Sequence, residues 1–250
     1  MQAHKRGRII GASERQSVRA VARRDAPTLS RPNAPTLSRP NAPTLSRSNA
    51  PTLSVEELTT LKALEAIRPE WSSLWDRCEA ATPFQSPDWL IPWWRHLGEG
   101  ELMVLALRRN GRLVGIAPFV IYAEPHTSER KLFLLGTGVS DYLDVLFDRS
   151  AEAECLRAVI AHLEQQRHRW DRGELHQLPA HSPLRRAVLP EDWRAKFSPD
   201  EVCPMLELPR RVEGLSRCVP SRQLETLQYY RRRLARRGSA QIELAGRKNF

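Results

Sequence analysis

Residues 131–147 read KLFLLGTGVSDYLDVLF and place two apolar runs on either side of a polar stretch of nine residues, 136–144. The apolar runs at 132–135 and 142–147 predict two β-strands, of which the first is buried. The two glycines between them allow a tight turn or a close approach of the backbone to a ligand. Asp141 and Asp144 are costly to bury alone, so each should be hydrogen-bonded, exposed or functional. Both a solvated turn and a binding site explain this stretch.

The positive charge of the chain is concentrated at its ends. The net charge is +10, and residues 1–54 carry ten Lys and Arg against two Asp and Glu. Residues 209–250 carry eleven against three, whereas the middle, 55–208, carries eighteen against twenty-four and is mildly acidic. The basicity of the chain is therefore weak support for nucleic-acid binding by the folded part.

Cysteine usage and the absence of common motifs exclude several classes of site. The four cysteines show no metal-binding spacing and are typical of reduced thiols in a cytosolic protein: Cys78, Cys155, Cys203 and Cys218. No apolar run approaches the roughly 18 residues that a membrane span requires. The sequence contains no phosphate-binding P-loop, dinucleotide fingerprint, G-x-S-x-G or H-E-x-x-H motif. We therefore expect a cytoplasmic protein without a metal site.

Residues 26–54 repeat an octapeptide, APTLSRPN, with a period of eight. Each copy is too short to be a folding unit and has a single leucine, and such proline-rich polar sequence stays extended or disordered. We therefore predict that 1–54 is a disordered basic tail and exclude it from the fold.

The first ordered elements are predicted to be helices. Apolar residues follow helical spacing over 61–78, and Pro69 within this range predicts two short helices or one kinked helix. A further helix should begin at Ser86, a capping residue followed by proline, and end at Gly98.

A β-hairpin should follow, because Asn110 and Gly111 separate two strand-like runs, at 102–108 and 112–122. Pro118 and the neighbouring Gly115 in the second run suggest a bulge or an edge strand. The remaining predicted elements are a helix at 151–170, a strand at 174–178, a short helix at 182–187, an extended segment at 202–208, a basic helix at 221–237 and a strand at 240–245. This mixed order predicts an α/β or α+β sheet covered by helices.

The predicted helix 221–237 carries a cluster of arginines. Arg232, Arg233 and Arg236 would share a broad cationic face opposite a row of leucines. An anion-binding clamp for phosphate or a polyanion and an ordinary solvated basic helix explain this face equally well.

Four blocks together resemble a known family: ATPFQSPDWL at 81–90, RLVGIAPF at 112–119, the stretch 136–146, and YYRRRLARRG at 229–238. In this order they resemble the CelD-like, cellulose-biosynthesis-associated family of the GNAT acyltransferase superfamily, which is similar to the FemABX proteins. The resemblance begins near residue 55. It implies a bacterial cytoplasmic protein with GNAT-like modules, each a mixed and mostly antiparallel sheet flanked by helices.

The resemblance also implies a division into domains. It predicts an N-terminal GNAT-like domain over 55–208, and a linker helix with the start of a second, truncated GNAT-like domain over 209–250. In families of this kind the second module usually holds acetyl-CoA or another acyl-CoA. Because the Q/R-x-x-G-x-G/A phosphate-binding loop of that superfamily is absent, we expect this chain to lack the acyl-CoA site and to be catalytically incomplete.

The implied activity is acyl-CoA-dependent N-acylation in cellulose, exopolysaccharide or envelope biosynthesis. The acceptor would be a small-molecule or glycan amine, with nucleic acid disfavoured as a partner. The candidate substrate-side groups are Asp141, Tyr142 and Asp144, followed by Gln85 and Ser86. An alternative of another class is a non-catalytic module that binds a glycan or nucleic-acid polyanion through Arg232, Arg233 and Arg236.

Overall fold

The computed structural model describes residues 12–22, 53–204 and 208–239. Glu14–Val202 forms one compact unit, and the remaining described residues belong to a second. The predicted strand at 240–245 and the octapeptide repeats up to residue 52 lie outside the described residues. The predicted domain division at 208 stays a prediction.

One sheet of eight strands forms the centre of the larger unit. Its order is β2-β3-β4-β5-β7-β1-β8, with β6 paired to β4. The strands are β1 Ala12–Ala22, β2 Leu53–Leu58, β3 Glu101–Arg109, β4 Arg112–Ala123, β5 Arg130–Leu134, β6 Leu146–Phe147, β7 Arg172–Pro179 and β8 Trp193–Pro204. β5 and β7 pair in parallel, whereas the pairs β1–β7, β2–β3, β3–β4, β4–β5 and β4–β6 are antiparallel. The predicted fold class, a mixed and mostly antiparallel sheet flanked by helices, is confirmed.

The helices of this unit are α1 Leu61–Ala66, α2 Arg68–Arg77, α3 Pro87–Leu97 and α4 Glu152–Gln165. The proline at position 69 lies in the first turn of α2, where it is favoured, and it disfavours a helix that would run on unbroken from α1. The N-cap of α3 is Ser86, whose hydroxyl accepts a hydrogen bond from Trp89 N, and its C-cap is Gly98. The predictions for α1, α2 and α3 are confirmed. The larger unit also contains short 3₁₀ helices at Pro83–Gln85, Arg167–Arg169 and Pro183–Arg186.

Two apolar cores pack against the two faces of the sheet, because successive side chains of a strand point to opposite faces. On β3, Met103 and Leu105 contribute to the core that includes α4, while Val104 contributes to the core that includes α1, α2 and α3. The buried residues of α4 are Cys155, Val159 and Leu163. Trp71 of α2 is fully buried in the other core. The unit therefore has three layers, with helices on both faces of the sheet.

β4 is an inner strand and contains the predicted bulge. Its register against β3 shifts where Leu107 pairs with Gly115, so the bulge is confirmed and the edge-strand alternative is wrong. The carbonyl of Pro118 accepts from Leu135 N, and its missing N–H would face the same side of β4. On that side the strand paired with β4 changes from β6, at Ile116, to β5, at Phe119. Proline is tolerated at this position because it lies where one pairing ends and the next begins.

Two sequence predictions about strands need correction. The predicted strand at 142–147 is reduced to Leu146–Phe147, because Tyr142 has a φ of +55° and cannot continue a strand. The exclusion of 1–54 does not hold for Ala12–Ala22, which pairs with β7. This segment reads ASERQSVRAVA and, unlike the repeats, has two valines and no proline.

Trp71 offers a test of the core beneath α2. Its indole Nε1 donates to the Gln85 carbonyl at 3.0 Å in a buried position. Trp71→Phe removes this donor and leaves a cavity, so we expect a loss of about 2–4 kcal/mol in the free energy of unfolding, measured by urea denaturation. The control is Trp94→Phe, at a half-buried position of α3, with an expected loss below about 1 kcal/mol. Equal losses in the two variants would contradict this assignment.

Candidate functional site

The candidate site lies where the two parallel strands end. β5 and β7 pair only at Lys131 with Arg172 and at Leu132 with Gly173. Beyond these pairs the chain leaves β5 through 135–145 and leaves β7 at Pro179. In sheets with parallel strands, ligands bind in the crevice beyond the carboxyl ends. The polar stretch 136–144 is therefore placed where a binding site is expected.

A buried hydrogen bond joins the chain segments that follow these strands. The Ser182 hydroxyl donates to Asp144 Oδ1 at 2.7 Å, and Val145 N donates to the same oxygen at 2.8 Å. Asp144 is 5% exposed and Ser182 is 1% exposed. The carboxyl of Asp144 thus has two donors on one oxygen, held in a buried position by both segments.

Burial changes the acidity of this carboxyl. It raises the pKa of Asp144 from its ordinary value of 3.8 to about 7, because the charged form loses its hydration. The hydrogen bonds from Ser182 and Val145 oppose this rise in pKa, the negative charge of Glu152 adds to it, and the positive charge of Arg186 opposes it. A carboxyl with this pKa can exchange a proton near neutral pH, as a general base must.

Asp144 lines a small cavity of about 80 Å³. Three further polar or titratable side chains share its wall: Gln85, Glu152 and His181. Cys78 also lines it, but its thiol donates to the Phe147 carbonyl at 3.2 Å. Burial raises the pKa of Cys78 to about 11, so this cysteine is a protonated thiol rather than a nucleophile. We call this space the Asp144 cavity.

Gln85 is held firmly at the cavity wall. Its side-chain Oε1 accepts from Thr82 N at 2.7 Å and completes the capping box of the short helix Pro83–Gln85. Since the amide oxygen is engaged, the NH₂ group is the part of this side chain suited to a ligand. Of the five candidate substrate residues, the structure brings together Gln85 and Asp144.

The other three candidates lie outside the cavity lining. Ser86 caps α3, and its hydroxyl also donates to the Pro83 carbonyl at 2.7 Å. Asp141 and Tyr142 are half-buried in the segment that leads to Asp144. The structure gives these three residues no shared cavity with Asp144, and their proposed contact with substrate stays a prediction.

Residues 136–140 form a closed turn against α3. Gly136 has a φ of +97°, and a Cβ there would lie 2.8 Å from the Ser140 hydroxyl, so the turn requires glycine. Ser140 is buried and accepts from the indole Nε1 of Trp89 at 2.8 Å. The turn interpretation therefore describes the first part of the polar stretch, and the site interpretation describes its end at Asp144.

Sequence reasoning missed three side chains of this region. Ser182 was assigned only to the start of a short helix, whereas its hydroxyl holds Asp144. Glu152 lies in the predicted helix 151–170, and no sequence pattern indicates that Glu152 or His181 lines a cavity with Asp144. The one local signal was Ser182 before Pro183, a capping pattern that shows where a helix begins but not which carboxyl the hydroxyl contacts.

The smaller unit contains the helices α5, Leu215–Cys218, and α6, Ser221–Ala235, and the arginine cluster lies on α6. Arg232 and Arg233 are in its last turn and Arg236 is its C-cap. All three are exposed, and none of them forms an ion pair with a carboxylate of residues 208–239. The basic helix is confirmed, while its use as an anion clamp stays a prediction.

The described residues offer neither a cluster of metal ligands nor a membrane-spanning helix. No group of three or more His, Cys, Asp and Glu side chains there could hold a metal ion. No helix in that part of the chain is long and apolar enough to cross a membrane.

The described part of the larger unit does not fit an acyl-CoA. A pyrophosphate is usually held by the positive end of a helix, but α2, α3 and α4 all have acidic residues in their first turns: Glu70, Asp88, Glu152 and Glu154. The Asp144 cavity is walled by carboxyl groups and is too small for a nucleotide. These residues would repel the phosphates of the donor.

Comparisons with known proteins leave the family open. No family model matches the sequence, and no curated protein matches it. Among solved structures, the chain is similar to a ribosomal-protein-alanine N-acetyltransferase from Brucella melitensis biovar Abortus 2308. The identity is 20%, the match covers 52% of this chain and 83% of the other, and the TM-score is 0.33. A similarity this low supports no conclusion about this chain, so the CelD-like assignment stays a prediction.

The raised pKa of Asp144 makes a prediction about stability. Because the folded chain binds this proton up to pH of about 7 and the unfolded chain only to about 4, the contribution of Asp144 is fully present below pH 4. It is lost as the pH rises to 7. Asp144→Asn keeps the accepting oxygen but cannot ionise. When the pH is raised from 5 to 8, the wild type should lose on the order of 2 kcal/mol more in its free energy of unfolding than this variant loses.

Urea denaturation at the two pH values measures this difference, and Asp148→Asn is the matched control. The hydrogen bonds from Ser150 hold the pKa of Asp148 below its ordinary value of 3.8, so the stability change in this variant should be the same at pH 5 and pH 8. A stability difference between Asp144→Asn and wild type that is the same at pH 5 and pH 8 would show that Asp144 does not ionise in this range.

Proposed function

We propose that this chain binds the acceptor amine of an N-acyltransferase in the Asp144 cavity, where Asp144 takes a proton from that amine. The observation that carries the proposal is the buried carboxyl of Asp144, with a pKa raised to about 7, at the carboxyl ends of the parallel strands. The resemblance of the four sequence blocks to CelD-like proteins supports the choice of acyl transfer.

The chemistry of the cavity suits an amine better than an anion. Most alkyl amines are protonated at neutral pH and must lose a proton before nitrogen can attack an acyl group. The carboxylate form of Asp144 attracts an ammonium group, whereas the charge of Glu152 is largely balanced by its ion pair with Arg186. Transfer of one N–H proton to Asp144 leaves a neutral amine and a neutral carboxyl. The amide of Gln85 and the ring of His181 can orient the rest of the acceptor.

The size of the cavity limits what part of the acceptor enters it. A volume of about 80 Å³ holds an amino group with a few neighbouring atoms rather than a whole saccharide. The acceptor is therefore a small amine or the amine-bearing edge of an amino sugar. On the family resemblance, we place this reaction in the cytoplasm and in cellulose, exopolysaccharide or envelope biosynthesis.

The acyl donor must bind outside the described part of the larger unit. The resemblance implies acetyl-CoA or another acyl-CoA, but the acidic helix starts of α2, α3 and α4 do not fit its phosphates. We therefore assign the acceptor side alone to these residues. Release of free thiol from acetyl-CoA by this chain in the presence of an amine would contradict that division.

Amine binding can be measured directly by calorimetry with glucosamine, and with glucose as the ligand that lacks the amino group. We expect glucosamine to bind and glucose to bind at least about tenfold more weakly, because only the former has the ammonium group. Asp144→Asn should weaken glucosamine binding by about tenfold or more. The affinity of the wild type should rise as the pH increases through about 7, where Asp144 becomes charged.

The matched control is Asp192→Asn, which removes an exposed carboxylate that pairs with Arg167 and lies outside the cavity lining. Its glucosamine affinity should stay within about twofold of the wild type. Unchanged binding in Asp144→Asn, or an equal loss in both variants, would overturn the assignment of Asp144.

The alternative function as a polyanion-binding module rests on α6 by itself. The exposed cluster of Arg232, Arg233 and Arg236 supports it. If it is correct, heparin binding weakens steeply with added salt, since counterions are released, and is lost in the triple change to glutamate. Binding to heparin that survives the triple change would reject this alternative.

A further inference from the structure

A second cavity, of about 110 Å³, lies between α4 and the sheet in the larger unit. Its wall is largely apolar and aromatic: Phe119, Leu163, Trp170, Leu175, Trp193 and Phe197. For comparison, an engineered protein cavity of about 150 Å³ with a similar apolar lining binds benzene. This space, which we call the tryptophan cavity, is therefore suited to a short alkyl chain or a small ring.

The polar groups of the two tryptophans are already engaged within the protein. Trp170 Nε1 donates to the Leu163 carbonyl at 3.3 Å. Trp193 Nε1 donates to the Glu164 carboxylate at 2.6 Å. The two rings pack edge to face, with centroids 5.0 Å apart, which is a favourable and rigid arrangement. The indoles therefore offer a ligand apolar surface and no hydrogen bond.

Arg185 is the polar exception in this wall. Its guanidinium carbon lies 5.8 Å from the ring centroid of Phe197, and one terminal nitrogen donates to the Ala180 carbonyl. Its Nε is buried and has no hydrogen-bond partner among the described residues. No ion pair of Arg185 with a described carboxylate is formed within the salt-bridge distance. Arg185 as a whole is half-buried, so its charge stays partly hydrated, while the Nε–H lacks a partner that a ligand could supply.

We propose that the tryptophan cavity binds a small carboxylic acid with an apolar tail, such as a short alkanoate. The carboxylate accepts from the Nε–H of Arg185, in the forked geometry that guanidinium groups offer to carboxylates. The tail occupies the space between Trp170 and Trp193. This binding is non-covalent and is independent of the proposed amine site, whose carboxyl groups would repel such a ligand.

The charges and volumes of the two cavities separate their ligands. The Asp144 cavity contains two carboxyl groups and attracts cations, whereas the tryptophan cavity contains one guanidinium and otherwise apolar surface. An alcohol of the same length would gain the apolar contacts but could not neutralise Arg185. The preference for acid over alcohol therefore measures the contribution of the arginine.

A ligand-observed NMR titration of the full chain with hexanoate and 1-hexanol tests this proposal. We expect saturable binding of both, with hexanoate at least about tenfold tighter. Arg185→Met should abolish the preference for hexanoate while hexanol binding remains. Leu184→Trp, which adds bulk to the cavity wall, should weaken both ligands. Each variant is first shown to be folded by its near-ultraviolet circular dichroism.

The matched control is Arg186→Met, since this neighbouring arginine is exposed and pairs with Glu152 rather than lining the tryptophan cavity. It should keep the full preference for hexanoate. Equal affinities for the acid and the alcohol in the wild type, or a preference that survives Arg185→Met, would overturn the role of the arginine. Absence of saturable binding of either ligand to the folded wild type would overturn the site itself.

Discussion

The parallel pairing of β5 with β7 is the constraint on which the rest of the larger unit depends. Parallel neighbours cannot be joined by a tight turn, so the chain must leave the sheet and return through a crossover. Here the crossover contains the polar stretch, β6 and α4, and α4 covers one face of the sheet. Because the pairing lasts for only two residue pairs, the segments beyond the strands separate. The candidate site lies in that separation.

The bond between Ser182 and Asp144 connects these separating segments and explains why a carboxyl can be buried there. Burying an unpaired carboxylate is unfavourable, but two donors on one oxygen reduce the cost and a raised pKa lets the group be neutral. Such an arrangement serves stability less well than an apolar residue of similar size would. Its position in the wall of a polar cavity therefore fits a group that exchanges a proton better than a group that only packs.

Local sequence signals predicted the elements that depend on local interactions. The Asn110–Gly111 hairpin and the capped helix at Ser86 both appear where expected, because turn and cap preferences act within a few residues. The strand expected at 142–147 failed because its apolar pattern does not reveal the positive φ of Tyr142. The partnership of Asp144 with Ser182 spans 38 residues and follows from the sheet topology, which the sequence pattern did not contain.

The short helix Pro183–Arg186 contributes side chains to the walls of both cavities. Pro183 lines the Asp144 cavity, whereas Leu184 and Arg185 line the tryptophan cavity. Arg186 pairs with Glu152 at the first of these. Ser182 fixes the start of this turn through its bond to Asp144. A single 3₁₀ turn therefore supplies wall to a cavity that contains two carboxyl groups and to a cavity that contains a guanidinium, and its last residue, Arg186, balances part of the negative charge of the first.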